Sequence, residues 1–332
     1  MRLGLMLGYW QSGYEDPIEL VLEAERLGFD SVWTAEAYGS DVFSPLCWIG
    51  ARTTKIKLGT GIMQISARTP ACVAMTAATI DHLSGGRLIL GIGVSGPQVV
   101  EGWYGQPFPR PLGRTREFIH IIRAMLRRDE PVTFIGEHYQ LPYQGGARLG
   151  KPLKLIVHPL RREIPIYLGA EGPKNIQMAT ELCEGWLPLY YSPFRPEVYS
   201  EPLSGAKPGF DVVCPVTVVV SDDLEQALLP IKWMLAFYIG GMGAREKNFH
   251  ANLVRRMGYA EAADKVQDLF FAGKRAEAAA AVPDEFADEI SLVGPPARIR
   301  ERLKLWKKSA VTTILAGTRD PAALRLLAEE LL

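Results

Sequence analysis

Three stretches of the chain share one syntax, a short strand-like run that ends in a turn rich in glycine. They are Lys55 to Thr69 (KIKLGTGIMQISART), Arg87 to Gly96 (RLILGIGVSG) and Ile164 to Pro173 (IPIYLGAEGP). Glycines at such ends let the backbone take shapes closed to other residues, or let a flat ligand come close. Helical patterns alternate with the strands, at Asp16 to Leu27, Pro45 to Thr53, Pro70 to Leu83 and Arg114 to Arg128. Parallel strands need helical crossovers, so this alternation leaves a doubly wound sheet or an eight-unit barrel. The sheet would want GxGxxG after its first strand, and Gly8-Tyr9-Trp10-Gln11 does not supply it. The pattern therefore predicts a (β/α)8 TIM barrel, whose strand ends share the one rim where chemistry sits.

The remaining strands are read at Leu3 to Gly8, Phe29 to Ala35, Trp186 to Leu189, Phe210 to Val220 and Val311 to Ala316, giving about eight. Helices are expected at Pro173 to Cys183, Leu224 to Ile239 and Pro321 to Leu332, with two or three more between Arg245 and Ala281. Pro131 to Arg161 breaks the rhythm with a hairpin around Gly136 and a loop. The expectation is one barrel domain over residues 1–332, with insertions near 130–162 and 241–290. Long insertions on a compact scaffold are commonly lids or interfaces.

Lys plus Arg and Asp plus Glu each number 37, so no net charge recruits nucleic acid or an anionic membrane. No apolar run reaches the roughly 18 residues of a spanning helix. The four cysteines, Cys47, Cys72, Cys183 and Cys214, lack metal-ligand spacing, and the five histidines form no cluster. The reading is a cytoplasmic protein with reduced, mostly buried thiols, no metal and a small-molecule partner.

Glu36 ends a hydrophobic strand and so points into a barrel mouth, free to accept a ligand's hydrogen bonds or paired with Arg68. Tyr9, Trp10 and Tyr38 flank the same rim, either as walls of a substrate pocket or as barrel-end packing. Gly91-Ile92-Gly93-Val94-Ser95-Gly96 and Gly169-Ala170-Glu171-Gly172-Pro173 are either anion-receiving turns, the second because it opens a helix, or ordinary βα turns. His82, His120, His138, His158 and His250 read as surface or satisfied core.

Taken together, FDSVWTAEAYG, KIKLGTGIMQISARTP, IDHLSGGRLILGIGVSG, IPIYLGAEGP and LVGPPARIRERL resemble the bacterial-luciferase-like monooxygenase superfamily over nearly the whole chain. Within it the chain is similar to the branch that uses the deazaflavin coenzyme F420, with FMN the cofactor of other members. The resemblance implies a flavin-like ring across the barrel mouth, backed by a non-prolyl cis peptide at Gly61-Ile62. It places Glu36, catalytic here, at the ring's polar edge, with Gln64 beside it. Val94 to Gly96 and Ala170 to Pro173 complete the cofactor site.

Sugar-phosphate dehydrogenases of this branch carry a histidine after the acidic residue, a glutamate after strand four and a lysine beyond strand six. This chain has Ala37, Gly96 and Pro188-Leu189-Tyr190-Tyr191 there. The implied activity is hydride transfer between the deazaflavin C5 and a hydrophobic ketone, alcohol or enone, in a homo-oligomer. The rivals are an FMN-dependent monooxygenase and a non-catalytic flavin-binding barrel subunit.

Overall fold

The computed structural model describes all residues except 11, 12, 14, 246 and 247. Eight parallel strands form the frame: β1 (Arg2–Gly8), β2 (Ser31–Thr34), β3 (Lys57–Thr60), β4 (Leu88–Gly93), β5 (Ile166–Gly169), β6 (Gly185–Leu187), β7 (Asp211–Val220) and β8 (Thr313–Gly317). Each pairs with the next, and β8 returns to β1 through Arg2↔Thr313 to Leu5↔Ala316, so the sheet closes as the alternation predicts. The last four residues of β7 pair with an extra strand, Ser291–Gly294.

Helices wrap the barrel: α1 (Ile18–Arg26), α2 (Phe43–Gly50), α3 (Pro70–Leu83), α4 (Pro97–Gly102), α5 (Pro111–Arg127), α6 (Pro173–Leu182) and α7 (Glu197–Leu203). Then come α8 (Leu224–Gly241), α9 (Phe249–Arg256), α10 (Ala260–Phe271), α11 (Arg275–Ala280), α12 (Asp284–Glu289), α13 (Pro296–Lys308) and α14 (Pro321–Leu331). Local chemistry starts them. Thr69 Oγ1 accepts from the Cys72 N–H at 3.3 Å with Pro70 at the first helical position, and Asp223 and Asp320 cap α8 and α14.

Two helix expectations need correction. The second begins at Phe43 rather than Pro45, because Asp41 Oδ1 accepts from the N–H groups of Phe43 and Ser44 at 2.8 and 3.2 Å. The single-turn α4 and the Pro202-containing α7 were not expected, being too short and too broken to show a period.

Inside the barrel, Trp33, Ile89, Tyr167, Leu187, Val213 and Leu315 pack together, with Met6 and Ile62 against them. Gly59 makes room for the Trp33 ring, which a Cβ there would meet at 2.2 Å. A larger apolar layer joins barrel to helices. The insertion after α5 contains the hairpin Phe134–Ile135/Gln140–Leu141. Glu117 holds it by accepting from the N–H groups of Glu137, His138 and Tyr139. Arg161 fastens the far end to Asp81, which is fully buried, and to the Leu88 carbonyl. Cys183 and Cys214 are buried, but Cys47 and Cys72 are exposed, so the thiols are not mostly buried.

Candidate functional site

The third strand does not run straight to the rim. Gly59 sits opposite Ile89, and Met63 opposite Ile92, so this strand takes one more residue than its neighbour over the same length. Such an extra residue is a β-bulge, a device that re-aims a side chain at a barrel rim. The surplus falls at Gly61-Ile62, whose peptide bond is cis, as expected. Ile62 is thereby turned into the mouth and lies against two glycines. A Cβ on Gly93 or on Gly169 would come within 2.8 Å of its side chain. The strand ends that read as permissive turns thus seat an apolar platform in the mouth.

Beside the platform stands Glu36, 7% exposed. Its Oε1 accepts from the Gln64 N–H at 2.8 Å and from Arg68 Nη1 at 2.7 Å, while Oε2 accepts from the Val42 N–H at 3.2 Å and from Arg68 Nη1 at 3.0 Å. A carboxylate has about four acceptor positions. These bonds occupy them, so the pairing with Arg68 is the arrangement the structure adopts, and Glu36 organises the rim by fixing its neighbours. Gln64 Nε2 donates to the Glu36 carbonyl at 3.0 Å, which orients the amide. Gln64 Oε1 is left buried without a partner. A buried acceptor without a donor is costly. A ring with a pyrimidine-dione N–H supplies that donor, and deazaflavin and flavin both carry one. The platform and the orphaned amide oxygen fit a ligand of this class.

The loop that follows Glu36 is clamped. Tyr104 donates to the Ala37 carbonyl at 3.2 Å, and Gly39 packs so close to the Trp10 carbonyl that a Cβ would lie 2.1 Å from it. Tyr38 stands on this loop with its side chain exposed. It lines a cavity of approximately 270 Å³ with Gly96, Gln98, Val99, Trp103, Gly241 and Met242 among the other walls. Ser95 has φ 62° and Gly96 caps α4, so the turn after β4 forms one side of this cavity. Tyr9 lies behind Tyr38 and hydrogen-bonds Tyr238 of α8, and burial pushes its phenol pKa up. Trp10 is held by its N–H, which donates to Ser40 Oγ at 3.0 Å.

Across the mouth, Ala170 is buried and its carbonyl accepts from Trp186 Nε1 at 2.7 Å. Glu171 turns away from the helix start that follows it. Its Oε1 meets His250 Nδ1 at 2.6 Å, and its carbonyl accepts from Arg256. Gly172 is the N-cap of α6 with φ −77°, and a Cβ there meets nothing within 4 Å. Pro173 at the first position has no N–H to leave unsatisfied.

Sequence reasoning missed His250 of α9, Tyr190 beyond β6 and Tyr238, whose rings pack edge-on at 4.9 to 6.2 Å between centroids. It also missed Trp103 and Met242. These side chains come from separate elements and loops and carry no spacing signal. The aromatic run at 190–191 was the one visible hint.

Residues 1–313 match the family model described as luciferase-like monooxygenase. A protein of Mycobacterium tuberculosis named "Putative coenzyme F420-dependent oxidoreductase" is 52% identical, over 98% of this chain and 99% of its own. The 5,10-methylenetetrahydromethanopterin reductase of Archaeoglobus fulgidus is 33% identical over 89% of this chain and 87% of its own. Among solved structures, the coenzyme F420-dependent tetrahydromethanopterin reductase of Methanopyrus kandleri superposes with TM-score 0.76 at 24% identity, covering 99% of this chain and 97% of that one. A closed parallel barrel, a platform at the end of its third strand and a match running through residue 313 agree: the chain belongs to the luciferase-like monooxygenase family.

Proposed function

We propose that the protein is a coenzyme F420-dependent oxidoreductase that moves a hydride between the deazaflavin and an apolar carbonyl, alcohol or enone substrate. The observation that carries this reading is the Ile62 platform beside Gln64 Oε1, a seat for a flat ring with one polar edge. The 52% identical relative named for this coenzyme favours the deazaflavin over FMN. When bound, the deazaflavin supplies the two-electron hydride chemistry.

The chain's own residues supply position and shelter. Ile62 backs one face of the ring, and Gln64 accepts at its edge. The Glu36–Arg68 pair keeps Gln64 and the 36–42 loop in place. The start of α6 at Gly172-Pro173 takes the ribityl phosphate on its free amides, with Val94-Ser95-Gly96 closing the other side. Glu171 does not oppose the phosphate, because His250 draws its carboxylate aside. The cavity beside Tyr38, walled by Trp103, Val99 and Met242, receives the substrate, and its apolar lining suits a hydrophobic one. The reading includes a homo-oligomer acting in the cytoplasm. Among the described residues no helix is long and apolar enough to cross a membrane.

Fluorescence titration with the deazaflavin and with FMN tests the cofactor. Loss of the oxidised-ring absorbance with secondary alcohols, and loss of the reduced form with ketones and enones, tests the reaction. Micromolar FMN affinity with no deazaflavin binding would overturn the reading in favour of a monooxygenase.

A further inference from the structure

Hydride transfer to a carbonyl is half a reaction, because the oxygen must also gain a proton. Ala37, directly after Glu36, and Gly96, in the turn after β4, carry no ionisable proton. Glu36 is committed to Arg68 and two backbone N–H groups, and Asp41 to Phe43, Ser44 and Arg68. Glu171 holds His250 through Oε1, and neither residue lines the cavity beside Tyr38, although Glu171 Oε2 is buried without a partner. Among the described residues lining the cavity between the loop after β2 and the turn after β4, Tyr38 alone bears an ionisable proton, the others being Gly96, Gln98, Val99, Gly102, Trp103, Gly241 and Met242.

The support of Tyr38 points the same way. Its loop is gripped by Gln64 at the Glu36 carbonyl, by Tyr104 at the Ala37 carbonyl and by the close approach of Gly39 to Trp10. Yet the Tyr38 side chain is 51% exposed and unpaired by hydrogen bond among the described residues. A rigidly mounted polar group left open on a cavity wall is how a reactive side chain is held, whereas a packing tyrosine would be buried and satisfied. Among the described residues, the ionisable groups around its loop include Tyr9 after β1 and Tyr238 on α8, which hydrogen-bond each other, and Tyr104, which donates to the Ala37 carbonyl.

We infer that Tyr38 is the catalytic acid and base of the reaction, giving its phenolic proton to the substrate oxygen on reduction and taking it back on oxidation. This rests on the hydride-transfer reading above. In the reducing direction the deazaflavin, when bound, would supply the hydride pair for the new C–H bond. The carbonyl π pair moves onto oxygen, and that oxygen takes the proton as the Tyr38 O–H bond breaks. The phenolate is then reprotonated by water, which reaches it because the side chain is exposed.

The test compares Tyr38→Phe and Tyr9→Phe with the parent, using a ketone or alcohol that the parent turns over. Phenylalanine keeps the ring at an exposed position, so the fold is not at risk. For Tyr38→Phe, kcat should fall about a hundred-fold with KM changed little. The fall of kcat at alkaline pH that ionising a phenolic acid causes should vanish, and the affinity for oxidised deazaflavin, read by fluorescence, should stay within about two-fold. Tyr9→Phe should keep the alkaline limb. A parental kcat and pH profile in Tyr38→Phe overturns the assignment, as does loss of the limb in Tyr9→Phe instead. A parent that binds deazaflavin but reacts with no ketone, alcohol or enone overturns the hydride-transfer reading, and the assignment with it.

Discussion

Glu36 shows how far a single residue could be read. Its place at a strand end was visible in the alternation, and Arg68 was visible as a possible partner, but the choice between ligand and partner depended on the path of residues 61–68. The bulge decides it by bringing the Gln64 N–H and Arg68 to the same carboxylate. Glu36→Gln puts an N–H where an oxygen faced backbone N–H groups and leaves Arg68 half-paired in a largely buried setting. Such a change should lower the unfolding free energy by about 1–3 kcal/mol and also weaken deazaflavin binding, since Gln64 is set by the same cluster. Urea unfolding and fluorescence titration on one preparation check both. Unchanged stability with lost binding would mean that the carboxylate faces the ligand after all.

At the scale of elements, strands and crossovers were legible because period 2 and period 3.6 are written locally. The cavity beside Tyr38 was not, because its walls come from the loop after β2, from α4 and from the end of α8, far apart in sequence. The His250–Glu171 pair joins α9 to the turn after β5 in the same non-local way. The turn before α6 was legible, and the structure gives it a clean test. With ordinary φ and open space at its Cβ position, Gly172 can become valine without an internal clash. Gly172→Val should leave the circular dichroism spectrum and melting temperature as they are while weakening cofactor binding about ten-fold, about 1.4 kcal/mol. Unchanged affinity would move the phosphate to the turn at 94–96.

For the whole molecule, the buried ionisable groups set a common alkaline sensitivity. Burial pushes the Cys183 thiol up to about 12, and it raises Cys214, Tyr190, Tyr199 and Tyr238 as well. In the unfolded chain a thiol ionises near 8.5. Above that pH the unfolded state sheds protons that the fold keeps, so stability is full below about 8.5 and is lost as pH rises towards about 12. Urea midpoints should therefore fall steadily from pH 8 to pH 10.5. A flat profile would show that these groups are open to solvent. Thiol reagents should label Cys47 and Cys72 in the native protein and reach the other two only on unfolding.

The one-residue surplus in the third strand behaves like a dislocation in a lattice. Below it Gly59 keeps step with Ile89, and above it Met63 and Gln64 keep step with Ile92 and Gly93, so the defect is confined to its own row. Removing Ile62 would close the fault and leave every paired residue on either side where it stands. The ΔIle62 chain should then melt close to the parent and bind no deazaflavin, as melting curves and cofactor fluorescence would show. The platform in the mouth of this barrel is thus an insertion one residue long, separable from the frame beneath it.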